Sequence, residues 1–387
     1  MVTTQTADKV LKSYYLDAVS DMLNLKVNPL LARIKQTTSD VWGKDVRKTM
    51  RIGVNGGIGA GTEDGDLPDA KGNQYEQFVT TLKNLYGKIE ITDKAIRASQ
   101  NNEGAFVNLL NDEMEGLIRS SSFNLSRMLY GDGSGRITSA TSVHPTTAEM
   151  CVASTSALEV GMVVDVMQDD AVKYAAQTIT SIDRSRNAIR FESMPAFSMP
   201  SGATIWLAVQ GSYNAELTGL KGIFNNTSLY GVTRGGKPWM TPVSVKQVGD
   251  DLEANMLQSM DLVEERTGNK TNFIVCSFGV RRALVKALLK NRTVETLNLE
   301  GGFTAISYNG IPVIADRFCP KGTMYLLNTD DFALHQLCDW QWLEGEDGKI
   351  LKQIPGKPVY TATLVKYAEL MCYRPYGQIV LEGITEG

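Results

Sequence analysis

Polar and apolar positions change their period along the chain, and each change marks a new segment. Apolar residues recur at helical spacing over residues 8–25, where Asp8 can cap a helix and Pro29 ends it. A second, longer stripe predicts a helix over residues 104–130, roughly 40 Å long at about 1.5 Å per residue. That length is typical of a spine that spans a molecule. The stripe consists of Phe106, Leu110, Met114, Leu117, Leu125 and Met128.

Residues 53–73, between these two helical segments, contain no apolar run and are dense in Gly, Asp and Asn. Glycine in such density indicates a backbone that is extended, turned or closely approached by other groups. Such a segment buries too little apolar area to order itself. The strand-like residues 78–92 that follow predict a β-ribbon. We therefore expect a long loop that is ordered by a neighbouring molecule.

After the long helix, the period changes from 3.6 to 2 over residues 137–211. Short β-rich runs alternate there with turn residues such as Asp183 to Asn187, which predicts a small all-β insertion with a barrel-like arrangement. The Gly- and Asn-containing residues 217–237 that follow are typical of a loose connection.

The last third alternates helical and strand patterns, which is typical of a compact α/β lobe. Ser244 to Gln247 has the spelling of a capping box and predicts a helix that begins there and ends at Gly268. The other predicted elements are a strand at 273–276, a helix at 279–290, and strands at 311–315, 324–327, 332–338, 359–367 and 378–381.

Composition and charge exclude several classes of protein. The chain of 387 residues is 43% hydrophobic and carries a formal net charge of −4, so it lacks the overall basic charge of a tight nucleic-acid binder, although weak local contacts with DNA stay open. No apolar run approaches the ~20 residues of a membrane span, and the N-terminus has no signal-peptide core. We expect a soluble protein made in the cytosol, without a membrane partner.

The cysteines predict neither a disulfide framework nor a zinc site, because they are odd in number, widely spaced and never in a C-x-x-C pair. We expect reduced, mostly buried thiols. The five residues are Cys151, Cys276, Cys319, Cys338 and Cys372.

No set of residues for catalysis or cofactor binding assembles in the sequence. The two histidines, His144 in a Ser/Thr/Pro loop and His335 in a half-buried strand, lack nucleophile motifs around them. Gly231 to Lys237 has phosphate-loop spacing, but Pro238 follows, which supplies neither a hydroxyl nor a backbone N–H. The acidic residues at 63, 64, 66 and 69 lack calcium-loop spacing. The sequence predicts no catalytic, cofactor-binding or metal site.

The order of segments resembles the major capsid protein of tailed bacteriophages, an α+β protein with the HK97-like fold. The resemblance in the order of segments covers nearly the whole chain, and the resemblance in amino-acid sequence covers about the first third. The text is similar to phage and prophage capsid proteins of Gram-positive hosts. It lies in NGGIGAGTEDGDLP (residues 55–68), LKNLYGKIEITDKAIRAS (82–99) and AFVNLLNDEMEGLIRSSSFNLSRMLYGDGSG (105–135).

The resemblance implies a division of the chain into named parts. These are an N-terminal arm (1–49), an extended loop (E-loop) with its β-ribbon (50–92), a peripheral domain with the spine helix (93–136), the β-rich insertion (137–211), a connection (212–239), an axial α/β domain (240–330) and C-terminal strands that return to the peripheral domain (331–387).

The resemblance also implies partners. Subunits of this family form hexamers and pentamers of an icosahedral shell, which is assembled in the bacterial cytoplasm and in the virion encloses packaged DNA, contacted weakly on its inner face. A portal occupies one vertex. Because the chain starts almost directly at the arm, a separate scaffolding protein is expected, unless a pro-segment is already absent from this sequence. Some relatives cross-link subunits through a Lys–Asn bond. Lys83 or Lys88 lies near such a position, but no partner Asn or catalytic Glu matches, so no cross-link is carried over.

Two other interpretations stay open: an encapsulin-like shell around a protein cargo, and a soluble enzyme with a Gly-rich lid. For a shell, the expected contacts between subunits lie in the loop, near the ribbon and on the arm helix. The candidate contact residues are Gly56, Gly57, Gly59, Gly61, Asp64, Asp66, Lys83, Lys88, Tyr14, Tyr15 and Met22.

Overall fold

The structure, a computed structural model, describes residues 28–66, 68–95, 103–144, 148–193, 199, 202–291, 296–298, 304–345 and 348–387. The α-helices in this part of the chain are α1 (Glu103–Met128), α2 (Leu220–Asn225), α3 (Leu252–Thr267) and α4 (Phe278–Asn291). Short 3-10 helices lie at Leu31–Arg33, Pro238–Met240, Thr329–Asp331 and Pro375–Gly377. None of the described helices is long and apolar enough to cross a membrane.

The strands of the described residues are numbered in chain order. They are β1 (Lys35–Thr37), β2 (Val41–Trp42), β3 (Asp45–Arg51), β4 (Tyr75–Thr81), β5 (Lys83–Thr92), β6 (Arg136–Val143), β7 (Glu149–Val152), β8 (Val163–Gln168), β9 (Ala171–Asp183), β10 (Ala188–Phe191), β11 (Ile205–Val209), β12 (Ser228–Leu229), β13 (Val232–Thr233), β14 (Val243–Val245), β15 (Phe273–Cys276), β16 (Thr296–Asn298), β17 (Thr304–Tyr308), β18 (Ile311–Ala315), β19 (Met324–Leu327), β20 (Phe332–Trp342), β21 (Lys352–Gln353), β22 (Val359–Cys372) and β23 (Ile379–Leu381).

Helix α1 packs on a five-stranded sheet in which β1, β20, β22 and β21 are neighbours and β5 also pairs with β22. The predicted long helix is thereby confirmed, within two residues at its C-terminal end. From Leu85 strand β5 alternates strictly, with Leu85, Gly87, Ile89 and Ile91 buried and Tyr86, Lys88 and Glu90 exposed. At Gly87 a Cβ would lie only 2.8 Å from Leu117 Cδ1 of α1, so this glycine lets the helix approach the sheet.

The all-β insertion is confirmed as a closed six-stranded barrel in the order β10, β7, β6, β11, β8 and β9. It has a hydrophobic core of its own, which contains Met150, Val164 and Ile189. Its neck is narrow because Asn214 N–H donates to Ser134 O at 2.8 Å, and Gly135, at φ +76°, lies against the Ser212 carbonyl. The barrel is therefore a small domain joined to the body through two adjacent chain segments.

The α/β lobe is built on a seven-stranded mixed sheet in the order β14, β23, β19, β15, β18, β17 and β16. Helices α3 and α4 cover one face, and the main core, shared with α1 and the five-stranded sheet, covers the other. Gly268, in the left-handed region at φ +66°, ends α3 as predicted.

Three sequence expectations are corrected by the structure. Ser244 lies in β14, parallel to Val380, so its backbone serves the sheet and the capping-box helix does not form there; α3 begins at Leu252 instead. The last strand, β23, joins the α/β sheet and does not return to the peripheral sheet with β20 and β22. Strand β5 lies in the five-stranded sheet, and the ribbon pairs β4 with β3.

The segment 217–237 is likewise packed rather than loose. Leu220, Ile223 and Tyr230 are buried in the main core, and the Tyr230 hydroxyl donates to Leu370 O at 3.0 Å and accepts from Cys372 N–H at 2.9 Å. Gly219 has no room for a Cβ because the carbonyl oxygens of Met128 and Leu129 lie against it. Gly219 therefore permits close packing of α2 against the end of α1.

Candidate intersubunit surfaces

An antiparallel ribbon of β3 and β4 carries the Gly-rich loop at its end. The pairing runs from Asp45 opposite Thr81 to Arg51 opposite Tyr75, and Ile52 N–H donates to Gln74 O at 2.9 Å just beyond it. Residues 53–73 form the tip, which contains no described strand. We call residues 52–74 the extended loop from this point on.

The base of the ribbon is fixed to the body of the molecule. Phe78 is buried and stacks on Trp239 with ring centroids 6.2 Å apart. Val79 N–H donates to Tyr230 O at 3.0 Å, and Lys237 Nζ lies 3.0 Å from Glu76 Oε1. The extended loop therefore projects from a rigid base.

The tip of the extended loop exposes apolar side chains to solvent. Val54 is 88% exposed and Ile58 is 87% exposed, and Tyr75 at the start of β4 is also exposed. The acidic candidates Asp64 and Asp66 are exposed as well. Large apolar side chains presented on a projecting arm typically mark a surface that contacts another protein.

The glycines of the tip let the two halves of the loop, its outgoing and returning limbs, lie close together. None of the described glycines from 53 to 72 has a positive φ. At Gly57 a Cβ would lie 3.2 Å from Lys71 N, and at Gly59 it would lie 3.0 Å from Pro68 Cγ. Gly56 faces the Lys71 side chain and Gly61 faces Asp66 O at ordinary contact distances, 3.4 and 3.7 Å. The loop is thus a narrow pair of limbs rather than a wide coil.

Lys83 and Lys88 lie on β5 and not on the ribbon. Lys88 is exposed and lies 2.5 Å from Glu90 Oε1, and the hydrogen bond with Lys88 lowers the pKa of Glu90. Lys83 is half-buried, with Ala368 of β22 as its register partner. The two lysines therefore lie on a strand of the five-stranded sheet that packs against α1, away from the tip of the loop.

The arm-helix candidates Tyr14, Tyr15 and Met22, with the whole predicted helix at 8–25, lie outside the described residues.

A groove of about 710 Å³, which the sequence did not predict, runs between α1, β5 and the barrel. Its walls include Tyr86, which is 61% exposed, Val160, Leu117 and Phe123. The exposed apolar side chains of β5 and of the barrel thus face a common space.

Arg317 fastens the barrel to the α/β lobe beside this groove. Its Nη2 donates to Ser156 O at 3.0 Å and to Glu159 Oε1 at 2.8 Å, both in the barrel. Its guanidinium lies over the rings of Phe123 (4.9 Å) and Phe318 (5.3 Å), which are in edge contact with each other. Charge pairing and ring stacking together set the orientation of the barrel.

Buried acids lie where parts of the chain meet. The carboxylate of Asp316 accepts from Tyr130 at 2.9 Å and from Asn28 at 3.0 Å, and burial raises its pKa. Glu369 of β22 accepts from Thr218 N–H at 2.8 Å, and burial raises its pKa to about 7 against the weaker opposing influences of this hydrogen bond and of Lys83. Each acid therefore links distant segments of the chain through hydrogen bonds, which is a structural role.

The described residues offer no catalytic arrangement. His144 is exposed in a loop. His335 is fully buried, not half-buried as predicted; its Nδ1 lies 2.9 Å from Ser39 O and its Nε2 2.7 Å from the Tyr373 hydroxyl. In the same part of the chain no group of His, Cys, Asp and Glu could hold a metal ion. The five cysteines are free thiols, and three of them are buried.

Comparison with solved structures identifies the fold. The chain matches a structure of the cyanophage A-1(L) capsid asymmetric unit with a TM-score of 0.53 and 12% identity, over 99% of this chain and 100% of that chain. This likeness shows the fold, and the expected HK97-like α+β class is confirmed.

Two further structures match over most of their length at lower scores. One is the encapsulin complex from Synechococcus elongatus, with a TM-score of 0.45 and 11% identity over 93% of this chain and 89% of that chain. The other is the capsid of a native GTA particle, at 0.47 and 10% over 91% and 89%. No protein-family model and no curated protein sequence matches the chain.

Proposed function

We propose that this chain is the major capsid protein of a tailed bacteriophage, which assembles into the hexamers and pentamers of an icosahedral shell around DNA. The observation that carries the proposal is the extended loop, whose rigid base and exposed apolar tip suit a contact with a neighbouring copy. The capsid fold supports it. A role as an enzyme has no support from the described side chains, and we propose a purely structural protein.

The energetics of the extended loop favour a contact repeated around a ring. Ordering a residue costs about 1–2 kcal/mol, so fixing the tip costs roughly 20–40 kcal/mol. Burying Val54 and Ile58 returns about 1.5–3 kcal/mol each. The remainder has to come from backbone hydrogen bonds and further burial along both limbs. A neighbouring subunit that covers the whole loop supplies such a surface, and a small ligand does not.

The finer parts of the proposal follow from the family that the sequence resembles. The extended loop and its ribbon, the spine helix α1, the barrel and the α/β lobe correspond to the E-loop, peripheral domain, insertion and axial domain. The N-terminal arm contacts a neighbour. A separate scaffolding protein, a portal, weak DNA contacts on the inner face, assembly in the cytoplasm and a Gram-positive host belong to the same proposal.

The proposal is tested by assembly of the purified chain, alone and with its scaffolding protein, followed by sedimentation and negative-stain electron microscopy. We expect closed shells. A stable monomer or dimer at high concentration with scaffold present would contradict the proposal. Particles filled with a protein cargo instead of DNA would support an encapsulin-like shell in its place.

The loop contact is tested with Val54→Asp/Ile58→Asp, which places charge where apolar contact is proposed. The matched control is Val172→Asp, which charges an exposed valine of the barrel strand β9. We expect the loop variant to fold normally, by circular dichroism, and to lose assembly, while the control assembles. In hydrogen exchange, residues 53–73 should exchange fast in free subunits and slowly in shells; equal rates in the two states would contradict the loop contact.

A further inference from the structure

The extended loop contains an Asn–Gly peptide, Asn55–Gly56, directly after the exposed Val54. In an Asn–Gly pair the backbone nitrogen of the glycine can reach the side-chain carbonyl carbon of the asparagine, because glycine has no Cβ to obstruct the approach. Both residues are exposed, so water and hydroxide have access to them. The Asn55 side chain therefore lies where it can react with the backbone that follows it.

The hydrogen bonds of this segment favour such a reaction. Gly57 N–H donates to Asn55 Oδ1 at 2.9 Å, and this bond folds the Asn55 side chain back toward the peptide unit of Gly56. The same bond withdraws electron density from the side-chain carbonyl, which makes Cγ more electrophilic. Among the described residues, no acceptor binds the N–H of Gly56, so this group can give its proton to hydroxide.

The fold does not require a glycine at position 56. The φ of Gly56 is not positive, and residues 53–73 contain no described strand that would fix the backbone there. A Cβ at this position would meet only the flexible Lys71 side chain, at 3.4 Å from Cδ. Alanine therefore fits this position, and it changes the reactivity of Asn55 more than it changes the loop.

A second Asn–Gly pair, Asn309–Gly310, provides an internal comparison. It forms the two-residue turn between β17 and β18, where Tyr308 and Ile311 are register partners, and both turn residues are exposed. Their φ values, +51° and +79°, are those of a tight hairpin turn. Attack on the side chain requires rotation about the Cα–C bond of the asparagine, which would break this turn. The two pairs thus share sequence and exposure but differ in backbone constraint.

We propose that Asn55 deamidates spontaneously in free subunits and that assembly into a shell suppresses the reaction. The deprotonated nitrogen of Gly56 forms a bond to Cγ of Asn55, the bond from Cγ to Nδ2 breaks, and Nδ2 takes a proton from water and leaves as ammonia. Water then adds to either carbonyl carbon of the five-membered imide and opens it to aspartate or isoaspartate. The only co-reactant is water, with hydroxide as the base.

The link to assembly rests on the proposed function. Either product places a carboxylate beside Val54, and isoaspartate also lengthens the backbone by one methylene group. In a contact that buries the tip of the extended loop, this carboxylate would lose its water, which weakens the contact. A tip held against a neighbouring subunit excludes water in turn and restricts the rotation that the reaction requires. Deamidation therefore limits the time during which a free subunit can enter a shell.

The site is tested by incubating free subunits in mildly alkaline buffer and following their peptides by mass spectrometry. The Asn55 peptide should convert at least about tenfold faster than the Asn309 peptide of the same molecules, because only Asn309 has to break a turn first. Gly56→Ala should slow conversion at Asn55, because its methyl group obstructs the attacking nitrogen. The matched control, Gly72→Ala, places a methyl group in open space of the same loop and should leave the rate unchanged.

Two results would overturn the site. One is conversion at Asn55 no faster than at Asn309, which is measured in the unmodified chain and depends on no variant. The other is an unchanged rate in Gly56→Ala, provided that circular dichroism shows a normal fold.

The link to assembly is tested with Asn55→Asp, which carries the charge of the product. The subunit concentration at half-assembly should rise at least about tenfold. Asn309→Asp adds the same charge at the exposed turn outside the loop and should assemble as the unmodified chain does. In assembled shells, conversion of Asn55 should be much slower than in free subunits. Unchanged assembly of Asn55→Asp, or equal conversion in shells and free subunits, would overturn the link.

These outcomes are distinct from a failure of the proposed function. If the unmodified chain forms no shells with scaffold present, the proposed function is wrong. The rates at Asn55 and Asn309 in free subunits still decide whether the deamidation site exists, because that comparison requires no assembly.

Discussion

Replacing Glu369 by glutamine should remove a pH-dependent loss of stability from the folded subunit. Glu369 is fully buried on β22, where one carboxylate oxygen accepts from Thr218 N–H at 2.8 Å and the other, Oε2, has no hydrogen-bond partner among the described residues. Glutamine keeps the shape and an acceptor for Thr218 but cannot ionise. The variant therefore separates the cost of the buried charge from the packing of the side chain.

The direction of the effect follows from the pKa of Glu369, which burial raises from 4.5 to about 7. A pKa that is higher in the folded state contributes stability below the unfolded value of 4.5, and this contribution is lost as pH rises through about 7. At about 1.4 kcal/mol per pKa unit, the loss between pH 5 and pH 8 is roughly 2–3 kcal/mol. The glutamine variant should not show it.

The assay is denaturant unfolding of free subunits at pH 5 and pH 8, for the unmodified chain and for Glu369→Gln. Between the two pH values, the free energy of unfolding of the unmodified chain should fall by roughly 2–3 kcal/mol more than that of the variant. Glu115→Gln, which removes an exposed carboxylate of α1, controls for the loss of one negative charge. An identical pH dependence in the unmodified chain and Glu369→Gln would refute the reasoning.

Three further predictions concern the barrel and the cysteines. Asp165 is buried in the barrel and accepts from Ala176 N–H at 2.8 Å and Gly211 N–H at 2.9 Å, so Asp165→Ala should destabilise the barrel by about 2–5 kcal/mol. Differential scanning calorimetry and limited proteolysis will measure the loss, and an unchanged stability of the barrel would contradict the prediction. At the neck of the barrel, Gly135→Ala should lower the thermal midpoint more than Gly161→Ala. Both glycines have a positive φ, but only Gly135 lies close to a backbone carbonyl, that of Ser212. Equal shifts would show that the backbone at Ser212 moves away without cost. A strong reductant should leave the thermal midpoint unchanged, because the cysteines are free thiols. In the folded protein, a thiol reagent should modify the buried Cys276, Cys319 and Cys372 far more slowly than the half-buried Cys151 and Cys338, since burial raises the pKa of Cys276 to about 12. Fast reaction of the three buried thiols would count against their burial.

The long helix and the barrel could be predicted from the sequence because their signals are local. Helix α1 follows a 3.6-residue apolar stripe that stops at a glycine turn, and the barrel strands follow a period of two between turn residues. The α/β lobe was predicted for the same reason, apart from the start of α3. There the capping-box spelling at Ser244 was local as well, but pairing of β14 with β23 took precedence over it.

Glycine was the residue whose meaning the sequence left open. Dense glycine at 53–73 and scattered glycine at 217–237 both suggested loose chain. In the first segment Gly57 and Gly59 let two exposed limbs approach each other, and in the second Gly219 lets buried helices touch. The difference depends on which distant atoms come near the missing Cβ, and a local pattern contains no such information.

Of the candidate contact surfaces, the sequence located the extended loop and predicted a ribbon, but it did not identify β3 as the strand that pairs with β4, and it did not predict the groove. Strand β3 contains few apolar residues, and it forms a strand because β4, on the other side of the loop, pairs with it.

The sequence by itself determined the class of fold, the elements with a regular period and the lack of a recognisable catalytic motif, because each of these depends on residues close together in the chain. Only the tertiary structure decided which strands pair and where buried acids such as Glu369 join segments. These depend on contacts between residues far apart in the chain, and their free energies exist only once the core has closed.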